Sequence, residues 1–231
     1  MPRYRLVNDV YWCEPSGAVI FLDLKRDRYI GLEPENLAAF RRLIDPDLPP
    51  DAQTEALGRQ LVEEGLLVTN ANAAHGKIPS ATACPPIAAA LIDLGDTSHV
   101  RIRPIHVARF ALACARAAYL RRCSALHAIV QRIRERRARY HGGMRTPRRT
   151  ELRDLVARFR RLRPLAYSAP DHCVLDALTL IEFLALFGHF PNWTLGVMTQ
   201  PFGAHCWVQH GEIVLSDSVT RAGVYTPIMV A

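Results

Sequence analysis

The chain has 231 residues, of which 49% are hydrophobic, and its formal net charge is +7. A chain of this length has room for one large domain or for a small and a medium domain, each with its own core. The sequence has no apolar run long enough to span a bilayer and begins without the apolar segment of a secretory signal, so we expect no membrane association.

The cysteine pattern favours a reducing, cytoplasmic location. The six cysteines have neither the regular spacing of a disulfide framework nor a CxxC pair. Disulfides are rare in the cytosol, and zinc sites usually combine closely spaced pairs of Cys and His. We therefore expect free thiols and no metal site.

Residues 1–72 predict a small domain with a sheet and two helices. Short apolar segments bounded by turn residues predict strands, and apolar residues at helical spacing predict helices. The predicted strands are Val10–Cys13, Ala18–Leu24 and Tyr29–Leu32. Of the two predicted helices, the first starts near Pro34 and the second runs from Pro50 to Glu64. This order predicts a winged-helix-like fold. Residues 73–86, rich in Ala and Pro, predict a linker to a second domain at 87–231.

Three stretches of the first domain follow the pattern of a known family. They are Phe21–Leu32 (FLDLKRDRYIGL), Asn36–Phe40 (NLAAF) and Leu61–Leu67 (LVEEGLL). They resemble a RiPP recognition element, the module that binds the leader of a precursor in ribosomal peptide maturation. Many members have a Gly in the hairpin where this chain has Asp27 or Arg28. The resemblance implies that a leader adds to a strand edge beside a helix, and the implied contacts are Arg28, Tyr29, Ile30, Leu57 and Leu61.

A winged helix often binds DNA, which makes a nucleic-acid-binding regulator the main alternative. The candidate recognition helix, 51–64, has four acidic residues and a single Arg59. A helix that enters a groove of phosphates should be basic, so nucleic acid is not the expected partner. Arginines are dense at 121–163, where a solvated helical face and a surface for an anionic partner are both consistent with the sequence.

The second domain predicts a helical part followed by an antiparallel sheet. Helices are expected at 107–122 and 124–140, after Thr146, and from Ser168 to Phe187. Cys173 falls in the first turn of the last of these helices. Unpaired amides and the helix dipole favour an anion at that position, so a thiol there should have a lowered pKa.

A β-hairpin supplies the other two candidate catalytic residues. Strands are expected at 193–199, 204–210 and 212–217. If the last turn has three residues, with Gly211 in the left-handed conformation, His205 lies directly opposite Asp217. A two-residue turn puts Ser216 opposite His205 instead. Trp207 shares the face of His205 as a wall of the site, while Cys206 points away into the core.

A Cys at a helix start that faces a His/Asp hairpin is the arrangement of papain-like and transglutaminase-like enzymes. The residues concerned are Arg163-Pro164, Cys173–Leu178 (CVLDAL), Leu184–Gly188, Pro201–Val208 (PFGAHCWV) and Asp217. They resemble the transglutaminase-like peptidase of lasso-peptide maturation, the B protein, which also occurs fused to a leader-binding module. The family commonly has Ala-His-Ala-Trp-Val-Glu, where this chain has Cys206 and Gln209.

The resemblance implies an α+β cysteine peptidase that cleaves the leader from a lasso-peptide precursor with Cys173, His205 and Asp217. The thiol chemistry itself needs no cofactor. The implied partners are the precursor and a separate, ATP-using, asparagine-synthetase-like cyclase, and the resemblance also implies that cleavage depends on ATP or on that partner. The sequence has no phosphate-binding glycine loop. An acyl transferase that uses the same three residues remains open, because only the acceptor differs.

Overall fold

The computed structural model describes residues 3–45, 48–70, 84–91, 100–140, 149–167 and 173–231, and the fold of these residues is mixed α+β. The N-terminal module consists of β1 Arg3–Leu6, β2 Val10–Cys13, β3 Ile20–Asp23, β4 Arg28–Gly31, α1 Leu37–Ile44, α2 Ala52–Glu63 and β5 Leu67–Asn70. Strands β2, β3 and β4 form an antiparallel sheet, and β1 pairs with β5. The predicted strands and helices are present with ends shifted by a few residues, whereas the pair of β1 and β5 was not predicted. The winged-helix name remains a prediction.

The turn between β3 and β4 forms without the glycine that is common in the family. Asp23 accepts hydrogen bonds from the backbone N–H groups of Lys25 and Arg26, at 3.1 and 3.2 Å, and from the Arg26 guanidinium at 2.9 Å. Although burial opposes it, these bonds hold the pKa of Asp23 below its usual range. Asp27 adopts the left-handed conformation with φ +49°, which Asp tolerates better than most residues.

The three-stranded sheet of the module is buried on both faces. One face packs against α1 and α2 through Val10, Trp12, Val19 and Phe21. The opposite face contributes Cys13, Ile20, Leu22 and Leu24 to the core of the C-terminal part. Because successive strand residues point to opposite faces, one short sheet joins two hydrophobic cores.

The C-terminal part is built around one buried helix and a five-stranded sheet. Its elements are β6 Ala89–Ala90, α3 Pro104–Cys123, α4 Leu126–Tyr140, α5 Arg149–Leu162, α6 Cys173–Ala185, β7 Asn192–Thr199, β8 Phe202–His210, β9 Ile213–Val214, α7 Val219–Gly223 and β10 Thr226–Val230. The strand order is β10-β7-β8-β9-β6, antiparallel except for β6 and β9. Helix α6 packs between α3 and β8, and its residues from Asp176 to Leu184 are all buried.

The predicted linker, 73–86, lies outside the described residues as far as residue 83. Its last part is held by β8, since the Gln209 side-chain amide donates to Pro85 O at 2.8 Å. The proposed boundary between the two domains remains a prediction. None of the helices in the described ranges has the length and apolar character needed to cross a membrane.

Candidate active site

Cys173 is the first described residue of α6, and the predicted capping segment, 168–171, lies outside the described part of the chain. The Cys173 side chain is partly exposed, although the helix that carries it is the most buried of the fold's C-terminal part. The packing of α6 on its neighbours therefore fixes the sulfur at the surface end of a rigid helix. The positive end of the helix dipole favours an anion there.

His205, in β8, is the centre of the predicted constellation. Its side chain is buried, and its Nε2 lies 2.5 Å from Asp217 Oδ2. The other oxygen of Asp217 accepts from the N–H of Ser218 at 2.8 Å. Interaction with Cys173 also raises the pKa of His205, and Nδ1 is the ring nitrogen that Asp217 leaves available for the thiol. The structure thus brings the three predicted side chains into one cluster.

Asp217 reaches His205 by a route that differs from the predicted one. The turn between β8 and β9 contains two residues, Gly211 and Glu212, rather than three. Gly211 does adopt a positive φ, +56°. The register that would place Asp217 directly across from His205 is therefore wrong.

The alternative register also fails, because the observed pairs Gln209–Val214 and His210–Ile213 put Ser216 in line with Trp207 rather than His205, and the ladder ends at Val214. Ser216, which that register put opposite His205, accepts a hydrogen bond from the Val208 N–H through its hydroxyl, at 2.9 Å. Asp217 arrives from the loop that leads into α7, and the start of that helix holds its carboxylate.

The surroundings of Cys173 favour a thiolate. Hydrogen bonds with Cys206 and then with His205 lower the pKa of the Cys173 thiol to about 4, although burial acts in the opposite direction. The ordinary pKa of a cysteine is ~8.5. Because the thiolate is the nucleophilic form, the sulfur is in its reactive form at neutral pH.

The imidazole of His205 is held in its protonated form. Burial alone would lower the pKa of His205, but hydrogen bonds with Asp217 and Cys173 raise it to about 9. Although burial opposes this too, the bond with His205 keeps the pKa of Asp217 below its usual range. A thiolate–imidazolium pair therefore exists between about pH 4 and pH 9. Such a pair can attack a carbonyl carbon and protonate the group that leaves.

Cys206 does not point away from the site, contrary to the prediction. It is 5% exposed and belongs to the core, as expected, yet interaction with Cys173, together with burial, raises the pKa of its thiol. The alternation of side chains along β8 holds, but α6 packs on the face of the sheet that carries Cys206. The first residue of α6 is thereby brought to Cys206. Which face a helix covers is set by long-range packing, and the local pattern of β8 contains no information about it.

Trp207 supports the imidazole from behind. The rings of His205 and Trp207 are nearly parallel, with centroids 6.3 Å apart, and Trp207 is fully buried. It is therefore an inner wall that no substrate can touch. Tyr225, which the sequence analysis missed, contacts His205 with ring centroids 5.1 Å apart. A side chain at Gly196 would meet the Trp207 ring at 2.8 Å, so Trp207 needs a glycine in the neighbouring strand.

A second buried carboxylate, Asp176, lies one helical turn after Cys173. Asp176 accepts hydrogen bonds from the Tyr167 hydroxyl at 3.0 Å and from the Arg163 guanidinium at 3.3 Å. Burial raises its pKa, and Arg163 counteracts this. Residues three apart share a helix face, so the spacing between Cys173 and Asp176 was a signal that could have identified it.

The five predicted leader-binding residues fall into two groups. Arg28 is exposed and donates to Glu64 O at 3.2 Å, and Tyr29 and Ile30 of the same strand are partly exposed. Leu57 and Leu61 are 2% and 1% exposed and lie in the core of the module. The expectation that these two leucines contact a leader does not hold, because α2 turns its apolar face towards the sheet.

Tyr29 lies close to the candidate active site. Its ring packs against Phe202 of β8, with centroids 5.7 Å apart. Burial, followed by the charges of Cys206, Asp27 and Cys173, raises the pKa of Tyr29 to about 12. A strand of the N-terminal module thus forms one side of the region around Cys173.

Many arginines of the 121–163 region have structural contacts. They donate to backbone carbonyl groups, to a tyrosine hydroxyl and to buried carboxylates. The contacts are Arg134 with Tyr11 and Val230, Arg136 with Glu182, Arg161 with Val100, and Arg163 with Asp176. These arginines therefore join elements of the fold to one another, and this part of the positive charge does not form a surface for nucleic acid.

Among the described residues, no group of three or more His, Cys, Asp and Glu side chains is arranged to hold a metal ion.

Comparison with known proteins agrees with the geometry of the candidate active site. Residues 109–230, just over half of the chain, match the family model of the transglutaminase-like superfamily. No curated protein and no solved structure matches the chain significantly. With Cys173, His205 and Asp217 all inside the matched region, the chain belongs to the transglutaminase-like superfamily, which includes cysteine peptidases and acyltransferases.

Proposed function

We propose that this protein is a leader peptidase that cleaves a ribosomally made lasso-peptide precursor between leader and core. The observation that carries the proposal is the cluster of Cys173, His205 and Asp217, with a His205–Asp217 hydrogen bond of 2.5 Å and a lowered pKa of the Cys173 thiol, inside a transglutaminase-like domain. A thiolate, a proton donor and an acid that orients the donor are the groups that hydrolysis of a peptide bond by cysteine requires.

In the proposed reaction the Cys173 thiolate attacks the carbonyl carbon of the last leader residue. His205 donates its proton to the amine of the core as the C–N bond breaks, which leaves the leader as a thioester on Cys173. A water molecule then loses a proton to His205, attacks the thioester and releases the leader acid. Asp217 orients the imidazole and stabilises its protonated form throughout.

The N-terminal module is the proposed leader-binding part. Among the described strands, β4 pairs only with β3, so its other edge has free N–H and C=O groups that can receive an extended peptide. Arg28, Tyr29 and Ile30 lie on this strand, and Tyr29 reaches the region around Cys173. A peptide added to β4 would therefore lie beside the nucleophile. The Arg28 guanidinium lies 3.6 Å from Asp23 and is exposed on its other side, where it suits an acidic leader residue at this edge.

The proposed chemistry balances with water alone, so ATP has no place in the thiol step. The sequence has no phosphate-binding glycine loop for it. We assign an ATP dependence, which the family resemblance implies, to the asparagine-synthetase-like partner that would close the freed core amine onto a side-chain carboxyl group.

The test uses purified protein and a lasso-peptide precursor, with and without ATP and an asparagine-synthetase-like cyclase, followed by mass spectrometry. The proposal predicts separate leader and core products. Cys173→Ala should bind the leader and leave the precursor intact, whereas Cys123→Ala, an exposed cysteine outside the site, should cleave normally. Cleavage by Cys173→Ala would exclude the mechanism.

An acyl transferase is the second candidate, because the superfamily also includes acyltransferases. The thioester on Cys173 is the same in both reactions, and an amine replaces water as the acceptor. Adding a simple primary amine to the cleavage reaction separates the two functions. A leader amide as the main product would indicate transfer, and a free leader acid would indicate hydrolysis.

A further inference from the structure

A cleft between α3, α4 and α6 is lined by basic and aromatic side chains. It has a volume of about 350 Å³, and its lining includes two tyrosines, one glutamate and the four arginines Arg116, Arg132, Arg136 and Arg139. Four guanidinium groups against one carboxylate leave three positive charges on the lining at neutral pH. The lining includes none of the three candidate catalytic residues, so the proposed peptidase reaction has no use for this cleft.

Glu182 neutralises only part of this charge. It is 4% exposed and lies on the buried helix α6. Its carboxylate accepts a hydrogen bond from Arg136 at 2.8 Å, and the Arg116 guanidinium lies 4.0 Å away. The Nε–H of Arg136 is buried without a hydrogen-bond partner among the described residues. One carboxylate thus serves two guanidinium groups and leaves them incompletely paired.

The outer arginines of the cleft are accessible to a ligand. Arg132 and Arg139 are both exposed. Arg139 lies 3.8 Å from Glu135 of the same helix, and these two side chains are 72% and 67% exposed. Because an ion pair in water is weak, an incoming carboxylate can replace Glu135.

The aromatic walls of the cleft are already in place. The Tyr140 ring stacks on Phe190, with centroids 4.6 Å apart and the two planes 9° from parallel. Arg136 lies over the same Phe190 ring, with its Cζ 5.8 Å from the centroid. Tyr119 lines the cleft from α3. A preformed wall reduces the entropy that a ligand loses on binding.

The exposed side of α3 carries an apolar stripe that ends at this cleft. It consists of Ile105, Leu112 and Tyr119, which are 49%, 43% and 63% exposed. Residues seven apart lie on one side of a helix, and the stripe spans ~21 Å at 1.5 Å per residue. The opposite side of α3 is buried in the core. Because Tyr119 belongs to both features, the stripe and the arginines form one surface, which we call the α3 surface.

We propose that the α3 surface binds an acidic amphipathic helix of a partner protein. Apolar residues of that helix would pack on Ile105, Leu112 and Tyr119, as in the recognition of a helix by a groove. Its Asp and Glu side chains would enter the cleft and form charge-assisted hydrogen bonds with Arg132 and Arg139. This inference does not rest on the proposed peptidase function.

The charge and shape of the α3 surface favour this occupant over three others. Helix α3 has four arginines and no Asp or Glu, so pairing with α3 of a second copy would bring like charges together. A flat bilayer would cover the stripe and leave the cleft unfilled, and a small phosphate ligand would fill the cleft and leave the stripe in water. An acidic helix uses both features, and contiguous apolar surface commonly marks a site of protein interaction.

The test measures the binding of fluorescent synthetic peptides to the full-length protein by anisotropy at low ionic strength. The probe is a helical peptide of about 15 residues, with leucines at helical spacing on one side and glutamates beside them. In a control peptide, lysine replaces every glutamate. The glutamate peptide should bind at least about 10-fold more tightly than the lysine peptide, and its affinity should fall as added salt screens the charges.

Variants of the protein then locate the binding site. Leu112→Ser and Arg132→Gln should each weaken binding of the glutamate peptide on the order of 5-fold. Leu48→Ser and Arg59→Gln are the matched controls, since both residues are exposed in the N-terminal module, and these variants should bind like the wild type. Thermal melts of all four variants verify that they are folded.

Three results would overturn the proposal. The first is equal binding of the glutamate and lysine peptides. The second is unchanged binding of the glutamate peptide by both Leu112→Ser and Arg132→Gln. The third is a protein that ignores the glutamate peptide but binds anionic lipid vesicles or pyrophosphate, or forms dimers in sedimentation, in a way that Arg132→Gln abolishes. All three readouts are independent of whether the protein cleaves a precursor.

Discussion

Tyr29 of the N-terminal sheet packs edge to face against Phe202 at the start of the hairpin that carries His205, with ring centroids 5.7 Å apart. The contact joins the proposed leader-binding strand to the strand of the candidate active site. Phe202 is 55% exposed, so this aromatic pair lies where a bound peptide could pass from one part to the other. The proposed leader-binding strand and the candidate active site thereby share one continuous surface.

The first prediction concerns the energy of this contact. A double-mutant cycle with Tyr29→Ala and Phe202→Ala should give a coupling energy of about 0.5–1.5 kcal/mol, the usual range for an aromatic pair. Urea unfolding of the four proteins measures it. Strictly additive effects would mean that the two rings do not interact in solution.

The second prediction concerns the pH dependence of cleavage. The thiolate of Cys173 forms as the pH rises through about 4, and the proton on His205 is lost as the pH rises through about 9. The reactive pair needs the first group deprotonated and the second protonated, so kcat/KM should follow a bell with limbs near these values. A profile that still rises between pH 7 and 9 would mean that the thiol is protonated at neutral pH.

The third prediction concerns the glycine behind the imidazole. Gly196→Ala places a methyl group 2.8 Å from the Trp207 ring, and the ring must move against His205. We expect a loss of about 1–3 kcal/mol in stability and a decrease in cleavage on the order of 10- to 100-fold. Gly223→Ala is the matched control, since its added carbon meets nothing within 4 Å. Equal behaviour of the two variants in thermal melts and cleavage assays would mean that Gly196 does not control the positions of Trp207 and His205.

The fourth prediction concerns Gln209, which is fully buried. Its amide donates to Pro85 O and Gly211 O, both at 2.8 Å, and its oxygen accepts from the Trp207 indole N–H at 2.9 Å. Gln209→Glu would turn a carboxylate oxygen towards two carbonyl groups, at a cost of about 1–3 kcal/mol for each lost hydrogen bond.

The loss of stability in Gln209→Glu should become smaller as the pH falls, because a protonated glutamic acid can again donate one hydrogen bond. Chemical denaturation at pH 5 and pH 8 measures it. Gln53→Glu, in the first turn of α2, loses only a solvent-exposed hydrogen bond of 3.3 Å to Glu35 O; it is the control and should stay within about 0.5 kcal/mol of the wild type. An unchanged stability of Gln209→Glu at pH 8 would show that this network is not formed.

The sequence was informative about the site wherever local patterns determine the structure. Alternating apolar residues predict the strand of His205, and a continuous apolar stretch predicts the helix of Cys173. The family motifs then identify the side chains of Cys173, His205 and Asp217. The β3–β4 turn also forms in the predicted place, because Asp23 caps it in the absence of glycine.

The remaining features depend on packing between distant segments. The burial of Cys206 beside the helix of Cys173 depends on α6 covering one particular face of the sheet. Asp217 reaches His205 because the ladder ends at Val214 and frees the chain after it. Leu57 and its neighbours on α2 look the same in sequence whether they contact a peptide or a core. Local periodicity does not distinguish these alternatives.

The central claim is that Cys173 is a thiolate at neutral pH, and titration of the ultraviolet absorbance of thiolates tests it without any substrate. The difference between wild type and Cys173→Ala should show one thiolate that appears with a midpoint near pH 4. The same titration of His205→Asn should move this midpoint upwards, since a positive charge and a hydrogen bond are lost. A wild-type midpoint near the ordinary value of ~8.5 would contradict the account.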